Sequence, residues 1–220
     1  MSTFVLVHGA FRGGWAWDRV APLLRAAGHE VHAPTLSAAA TGLRTWTDQV
    51  AGLVTSDDVV LAGHSQGGVV VREVALREPE RVRAIVYLDA AVPEPGERAV
   101  DLGGTPAELP PRETIVPPRP LRPAGDLDAA TAAWMNERLE SVPLAPSLDP
   151  ASPGHPLAPI TYAFCTDTPP AYPCGTTRRR LDERGTTYAW VEAGHDAPLT
   201  RPHAVAELLL AAARHQSTGE

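Results

Sequence analysis

Val59-Val60-Leu61-Ala62-Gly63-His64-Ser65-Gln66-Gly67-Gly68-Val69-Val70-Val71 reads as a strand, a sharp turn and a helix. The apolar run Val59 to Ala62, bounded by Asp57-Asp58 and by glycine, is short and β-branched, as a strand buried on both faces requires. Gly63-x-Ser65-x-Gly67 then sets a serine at the apex of the turn. Glycines on either side let strand and helix approach closely enough to project its hydroxyl. The helix continues through Val74, Ala75 and Leu76 to a stop at Glu78-Pro79.

The segments on either side repeat the pattern. Phe4-Val5-Leu6-Val7 is a first buried strand, and it runs into the glycine-rich loop His8-Gly9-Ala10-Phe11-Arg12-Gly13-Gly14. Ligand sites of open parallel sheets form at such strand ends. Trp17, Val20, Leu24 and Ala27 lie at helical spacing before Gly28, a C-terminal stop. Glu30 to Leu36 reads as a second strand, and Trp46, Val50 and Leu53 as a short helix. Val82 to Asp89 is a fourth strand that ends in a carboxylate. Ile160 to Cys165 and Thr187 to Val191 complete a set of about six, with helices expected around Thr176 to Arg184 and from Pro202 onward. The fold class is therefore α/β, a mostly parallel, doubly wound sheet with right-handed crossovers.

From Pro93 to Pro159 the composition changes, because most of the prolines fall here among acidic and small residues. The organisation expected is one domain over 1–220, with a core of 1–92 and 160–220 and a helical, proline-rich cap inserted at 93–159. Asp128 to Val142, with Trp134, Met135, Leu139 and Val142, has the spacing of an amphipathic helix. Long insertions at this edge of a sheet commonly serve as lids. The part from Gly103 to Pro123 also has the composition of a disordered segment.

Composition narrows the function. A chain of 220 residues with 44% apolar content suffices for one core, and a formal charge of −7 argues against nucleic acid as a partner. Arg178-Arg179-Arg180 is read as a solvated helix face. No signal segment or transmembrane run is legible, so a cytoplasmic protein is expected, without membrane association and with a homodimer left open. Cys165 and Cys174 lack metal-ligand spacing, and His29, His32, His155, His203 and His215 show no pairing that suggests a metal. No cofactor and no metal are expected, and the partner is a small-molecule substrate.

A serine hydroxyl on such a turn needs a base, and His195, in Glu192-Ala193-Gly194-His195-Asp196-Ala197-Pro198, is the histidine on a loop after a late strand. An orienting acid should lie between them in sequence. Developing negative charge on a carbonyl oxygen needs preorganised donors, for which the backbone amides of Gln66 and Ala10 are placed. His64 and His8 are read as structural. Gly9 and Phe11 from the first loop, with Trp134 and Met135 from the insertion, are expected to contact substrate.

Phe4 to Ala10, Gly13-Gly14-Trp15-x-Trp17, Leu23-Leu24-x-x-Ala27-Gly28-His29-x-Val31, Gly63 to Gly68, Val86 to Ala90 and Gly194-His195 together resemble the α/β-hydrolases. Within them they are similar to the plant methyl esterase and hydroxynitrile lyase group and its bacterial relatives. The resemblance implies a sheet with a helical cap, no metal, and an acyl-enzyme mechanism. Lyases of the group carry a threonine in the first loop and a lysine after the histidine, where this chain has Gly9 and Asp196. A glycine donates no side-chain hydrogen bond, and a carboxylate repels a developing cyanide.

The acid departs from the family pattern. The family's aspartate usually falls two or three residues past a threonine, but here Thr166-Asp167-Thr168-Pro169-Pro170 puts Asp167 early. Asp167 is the first candidate because it follows the strand where the fold places its acid, and Asp89 is the reserve. The function expected is hydrolysis of a small hydrophobic carboxylic ester, lactone or thioester through an acyl-enzyme on Ser65. A lyase, cyclase or isomerase using the same pocket, or a non-catalytic binding protein on the same fold, is the alternative.

Overall fold

Strand β1 (Thr3–Val7) is buried at every position, and its side chains divide between two cores. The computed structural model describes residues 1–104 and 108–214. Residues 105–107, within the Gly103 to Pro123 segment, and the tail with His215 lie outside the described residues. Phe4 and Leu6 face one side of the sheet and Val5 and Val7 the other, the period-2 alternation of a strand covered on both faces.

Helix α1 (Ala21–Ala26) is shorter than its spacing predicts, because Gly14–Trp17 forms a separate 3₁₀ turn. Gly28 closes α1 with φ of 86°, a left-handed conformation that glycine adopts without a Cβ clash. Strand β2 (Glu30–His32) stops short of the predicted Leu36, since Pro34 offers no amide to continue a ladder. Helix α2 (Leu43–Ala51), strand β3 (Val59–His64), helix α3 (Gly67–Arg77) and strand β4 (Val82–Leu88) follow in the expected order.

The insertion between β4 and the next sheet strand contains strand β5 (Ile115–Val116), helix α4 (Ala129–Asn136), strand β6 (Val142–Pro143) and helix α5 (Ala145–Leu148). Asp128 caps α4, its carboxylate accepting the Thr131 amide at 2.7 Å. The helix ends six residues before the predicted Val142. There Asn136 hydrogen-bonds both backbone groups of Leu121, and the Glu140 amide is drawn to the Phe11 carbonyl. Val142 instead pairs antiparallel with Val116, joining two segments for which composition suggested no strand. Described residues of the Gly103 to Pro123 stretch are thereby tied to the protein by β5.

Strand β7 (Ile160–Cys165), helix α6 (Pro173–Glu183), strand β8 (Ala189–Val191), helix α7 (Ala197–Thr200) and helix α8 (Pro202–Arg214) complete the chain. The six-stranded sheet has the order β2-β1-β3-β4-β7-β8, every pair parallel. α1 and α8 cover the Phe4 face, through Leu24, Val205 and Leu209, while α2 and α3 cover the Val5 face, through Trp46, Val50, Val70 and Val74. The order steps outward in both directions from β1 and β3, so the switch point lies at their C-terminal ends, beside Ser65.

Cys165 and Cys174 are both free and buried. Of the basic triplet, Arg180 reaches back to Glu97 in the insertion at 2.7 Å. Among the described residues no helix is long and apolar enough to cross a membrane.

Candidate active site

Ser65 follows β3 directly, with φ of 53°, and Asp89 follows β4 with φ of 46°. Non-glycine residues seldom hold that left-handed conformation, and here two adjacent strands end in one. The surrounding structure enforces it. The Ser65 amide donates to the Leu88 carbonyl at 3.2 Å, the Ala91 amide to the Ser65 carbonyl at 3.0 Å, and the Asp89 amide to the Ala163 carbonyl at 2.7 Å.

The glycines of the turn answer to close packing. A Cβ on Gly67 would lie 2.4 Å from the Val7 carbonyl oxygen, one on Gly68 2.6 Å from that of Ala91, and one on Gly63 2.7 Å from that of Gly67. Side chains at these positions would push α3 off the strand ends.

His195, on the loop after β8, turns its Nδ1 to Asp89 Oδ2 at 2.6 Å. Asp89 is 1% exposed, and it also accepts the Thr168 hydroxyl at 2.5 Å and the Cys165 amide at 3.2 Å. Burial alone would raise the Asp89 pKa, but these donors outweigh it and hold the carboxyl below its ordinary range. Asp167 is exposed, and its backbone amide is bound to the Ala193 carbonyl at 3.0 Å. The carboxylate beside His195 is thus that of the reserve candidate. Asp167 lies in the turn after β7 with its side chain in solvent, whereas Thr168, one residue on, reaches the buried Asp89.

His64 and His8 frame the two loops. His64 Nε2 lies 2.7 Å from the His195 carbonyl oxygen, so it carries the proton and donates. Burial, then the charge of His195, pushes the His64 pKa down to about 3, so the ring is neutral. His8 Nε2 accepts the Leu36 amide at 2.9 Å, which leaves Nδ1–H to donate to the Gly9 carbonyl at 2.8 Å. Burial lowers the His8 pKa to about 4.

Ser65, Gln66, His195, Ala10 and Phe11 line one cavity of about 450 Å³. Its other walls are largely apolar and come mostly from the insertion, including Val100, Val116, Leu121, Val142 and Leu144. The backbone amides of Ala10 and Gln66 are engaged by no backbone carbonyl among the described residues. Gly9 abuts the serine, since a Cβ there would stand 2.7 Å from Ser65 Cβ.

Gly9, Trp134 and Met135, all expected to contact substrate, are not among its lining residues. Met135 is fully buried, and Trp134 meets Trp15 edge-to-face at 5.4 Å with Arg138 over its ring. Both are used in packing α4 rather than in lining the cavity.

Four further residues escaped the sequence reading. Thr168 holds the acid, Tyr172 meets the His195 ring at 4.7 Å, and Ser147 accepts from the Gln66 side chain at 2.7 Å. Cys174 faces Asp89, and Asp89, Cys174 and His195 offer ligand atoms within 4.8 Å of one another. Burial, then the Asp89 charge, raises the Cys174 thiol to about 12, so it stays protonated, while Asp89 is already occupied by three donors. That set is therefore organised as a hydrogen-bonded carboxylate. A signal for it was the position of Asp89 at a strand end beside that of Ser65.

Comparison with known proteins agrees with this architecture. The Alpha/beta hydrolase family matches residues 4–208. The chain is 44% identical over 123 residues to a carbendazim hydrolyzing esterase of Nocardioides sp. (strain SG-4G), an alignment covering 50% of each chain. It is 38% identical over 104 residues to salicylic acid-binding protein 2 of Nicotiana tabacum, covering 41% of this chain and 40% of that one. The matched part thus spans half or less of these relatives. A pyrethroid hydrolase from Sphingobium faniae JZ-2 superposes with a TM-score of 0.74 at 22% identity over 99% of both chains, a likeness of fold. With a family match over nearly its whole length and the fold to go with it, the chain belongs to the alpha/beta hydrolase family.

Proposed function

We propose that the protein is a serine hydrolase that cleaves a small hydrophobic carboxylic ester, or a related lactone or thioester, with Ser65 as nucleophile. The observation that carries this reading is a strained serine and a histidine in the wall of one apolar cavity, the histidine held from behind by a buried carboxylate. Asp89 occupies His195 Nδ1 and leaves Nε2 as the base. His195 takes the Ser65 proton as Oγ bonds to the ester carbonyl carbon, then gives it to the leaving alcohol. Water, activated by the same nitrogen, releases the acid and restores the serine. The Ala10 and Gln66 amides stabilise the oxyanion.

Several features support the roles. Asp89, directly after β4, takes the orienting part first assigned to Asp167. The insertion at 93–159 acts as the cap, since it supplies half of the residues that line the cavity. Ester hydrolysis agrees with the names of the relatives, one a carbendazim hydrolyzing esterase and another a methyl jasmonate esterase.

The test is intact mass after treatment with a fluorophosphonate, with Ser65→Ala as control, followed by a panel of p-nitrophenyl and methyl esters. One adduct on the wild type, absent from the variant, together with turnover of short apolar esters, is expected. A folded protein that takes no adduct and turns over none of the panel would overturn the reading.

A further inference from the structure

We propose that Arg12 and Asp196 form a positioning clamp that holds the loop carrying Ala10 in register with the loop carrying His195; the inference rests on the roles just given to those two residues. The two loops come from opposite ends of the chain, 184 residues apart. Arg12 Nε lies 2.9 Å from Asp196 Oδ1, and Nη2 lies 2.8 Å from Oδ1 and 2.9 Å from Oδ2, so the planar guanidinium forks onto both oxygens. Nη1 donates to the Ala10 carbonyl at 3.1 Å. The two side chains are only 10% and 11% exposed.

The bonds act on the peptide planes that flank Ala10. Its N–H belongs to the peptide whose carbonyl is that of Gly9, and in a trans peptide the two point in opposite directions. That carbonyl accepts His8 Nδ1 at 2.8 Å and the Arg12 amide at 3.4 Å, so the Ala10 N–H is aimed to the other side. The following peptide is held by the guanidinium through the Ala10 carbonyl. Phe11, between the two, sits at φ of 65°, a conformation that relaxes unless it is pinned. At the other end, the Asp196 backbone carbonyl accepts the Leu199 amide at 2.9 Å, anchoring the residue after His195 to α7.

Net stabilisation does not explain the pair. Taking two charges out of water costs about as much as their attraction returns, and apolar replacements of both are often neutral. What the fork adds is direction: one rigid group ties the donor peptide to the residue beside the base, where displacements of an ångström cost orders of magnitude in rate.

The test compares wild type, Arg12→Gln, Asp196→Asn, the double variant and Arg12→Lys for the rate of Ser65 labelling by a fluorophosphonate and for hydrolysis of p-nitrophenyl butyrate. Each single neutral variant is expected to lower kcat roughly 30-fold with KM within about threefold. The double variant should fall little further, because both changes open the same contact. Arg12→Lys should recover only part of the rate, since one ammonium cannot span Asp196 and the Ala10 carbonyl.

A purely structural role would leave the pH profile alone, whereas the clamp places opposite charges beside His195. The charged and titratable groups around that ring are Asp89, Asp196, Arg12, His64, Tyr172 and Cys174, with Asp126 on the Gly194 amide. The acid limb of kcat/KM should move up by roughly half a pH unit in Arg12→Gln and down in Asp196→Asn. If the single variants do not fold, Arg12→Met/Asp196→Leu, which strands no charge, should fold and still show the loss in kcat. A kcat within twofold of wild type in folded variants, or losses in KM with an unmoved acid limb, would overturn the clamp. Wild type that takes no label removes the nucleophile reading and the clamp with it; equal labelling of wild type and Arg12→Gln removes the clamp alone.

Discussion

His195 Nδ1 and Asp89 Oδ2 lie 2.6 Å apart across a sequence separation of 106 residues, joining the loop after β8 to the end of β4. The carboxylate is nearly inaccessible and is held by the amide of Cys165, the last residue of β7, and by the hydroxyl of Thr168 just beyond it. It fixes the imidazole tautomer that leaves Nε2 free to accept a proton.

Replacing Asp89 by asparagine should therefore lower kcat by about three to four orders of magnitude, because an amide can hold the wrong tautomer and cannot stabilise the imidazolium. Asp167→Asn, at an exposed position, should stay within about twofold. Steady-state rates on p-nitrophenyl butyrate, with melting curves for both variants, check the pair. Equal losses, or a loss only in Asp167→Asn, would contradict the assignment.

Gly9 is pressed against the serine. The methyl group of Gly9→Ala would stand 2.7 Å from Ser65 Cβ, closer than side-chain carbons approach. We expect fluorophosphonate labelling to slow by at least about tenfold, with a stability loss of roughly 1–3 kcal/mol. Labelling at the wild-type rate would show that the serine turn relaxes without cost.

Acid should destabilise the protein before its carboxylates titrate. Burial lowers the pKa of His8 to about 4 and, aided by the His195 charge, that of His64 to about 3, against an ordinary value of 6.5. A depressed folded value means that this stabilisation is complete above the unfolded pKa and is lost as pH falls toward the folded one. Asp89 and Asp196, both lowered, add their losses only below the usual carboxylate range. Between pH 7.5 and pH 5 the unfolding free energy should drop by about 2 kcal/mol for each histidine. Urea midpoints at the two pH values measure it, and His8→Gln should halve the difference. Midpoints that coincide would mean that the rings are not held neutral.

Tyr87 offers a stabilising change. It is 1% exposed, its ring stacks on Tyr162 with centroids 5.3 Å apart, and its hydroxyl has no hydrogen-bond partner among the described residues. Removing an unsatisfied buried hydroxyl while keeping the ring should raise stability by about 1 kcal/mol in Tyr87→Phe. Thermal and urea unfolding check it, and a destabilised variant would point to a water bound at that oxygen.

Most of the sheet was legible from residue order, because a buried parallel strand must be apolar at nearly every position and its ends must be punctuated by glycine, proline or a charge. Val59 to Ala62 and Val82 to Leu88 carry that mark, and the helix after Gly67 follows from the close packing its glycines permit. Periodicity was less reliable in the insertion. Trp134, Met135, Leu139 and Val142 share helical spacing, yet only the first two are in α4, because Asn136 and Glu140 are captured by distant backbone and Val142 by β5.

Ser65 and His195 were legible as candidates from the sequence alone, since a serine between glycines after a buried strand and a histidine on a late loop are local patterns, written within a few residues. The partner of His195 was decided only by the tertiary structure. Asp89 and Asp167 both follow sheet strands, and nothing in their neighbours distinguishes them. What separates them is direction: the Asp167 amide is bound to Ala193 and its side chain is left in solvent, while Asp89 is turned inward at positive φ onto donors from three other places in the chain. A hydrogen bond depends on distance and angle between groups far apart in sequence, and those are properties of the packed chain.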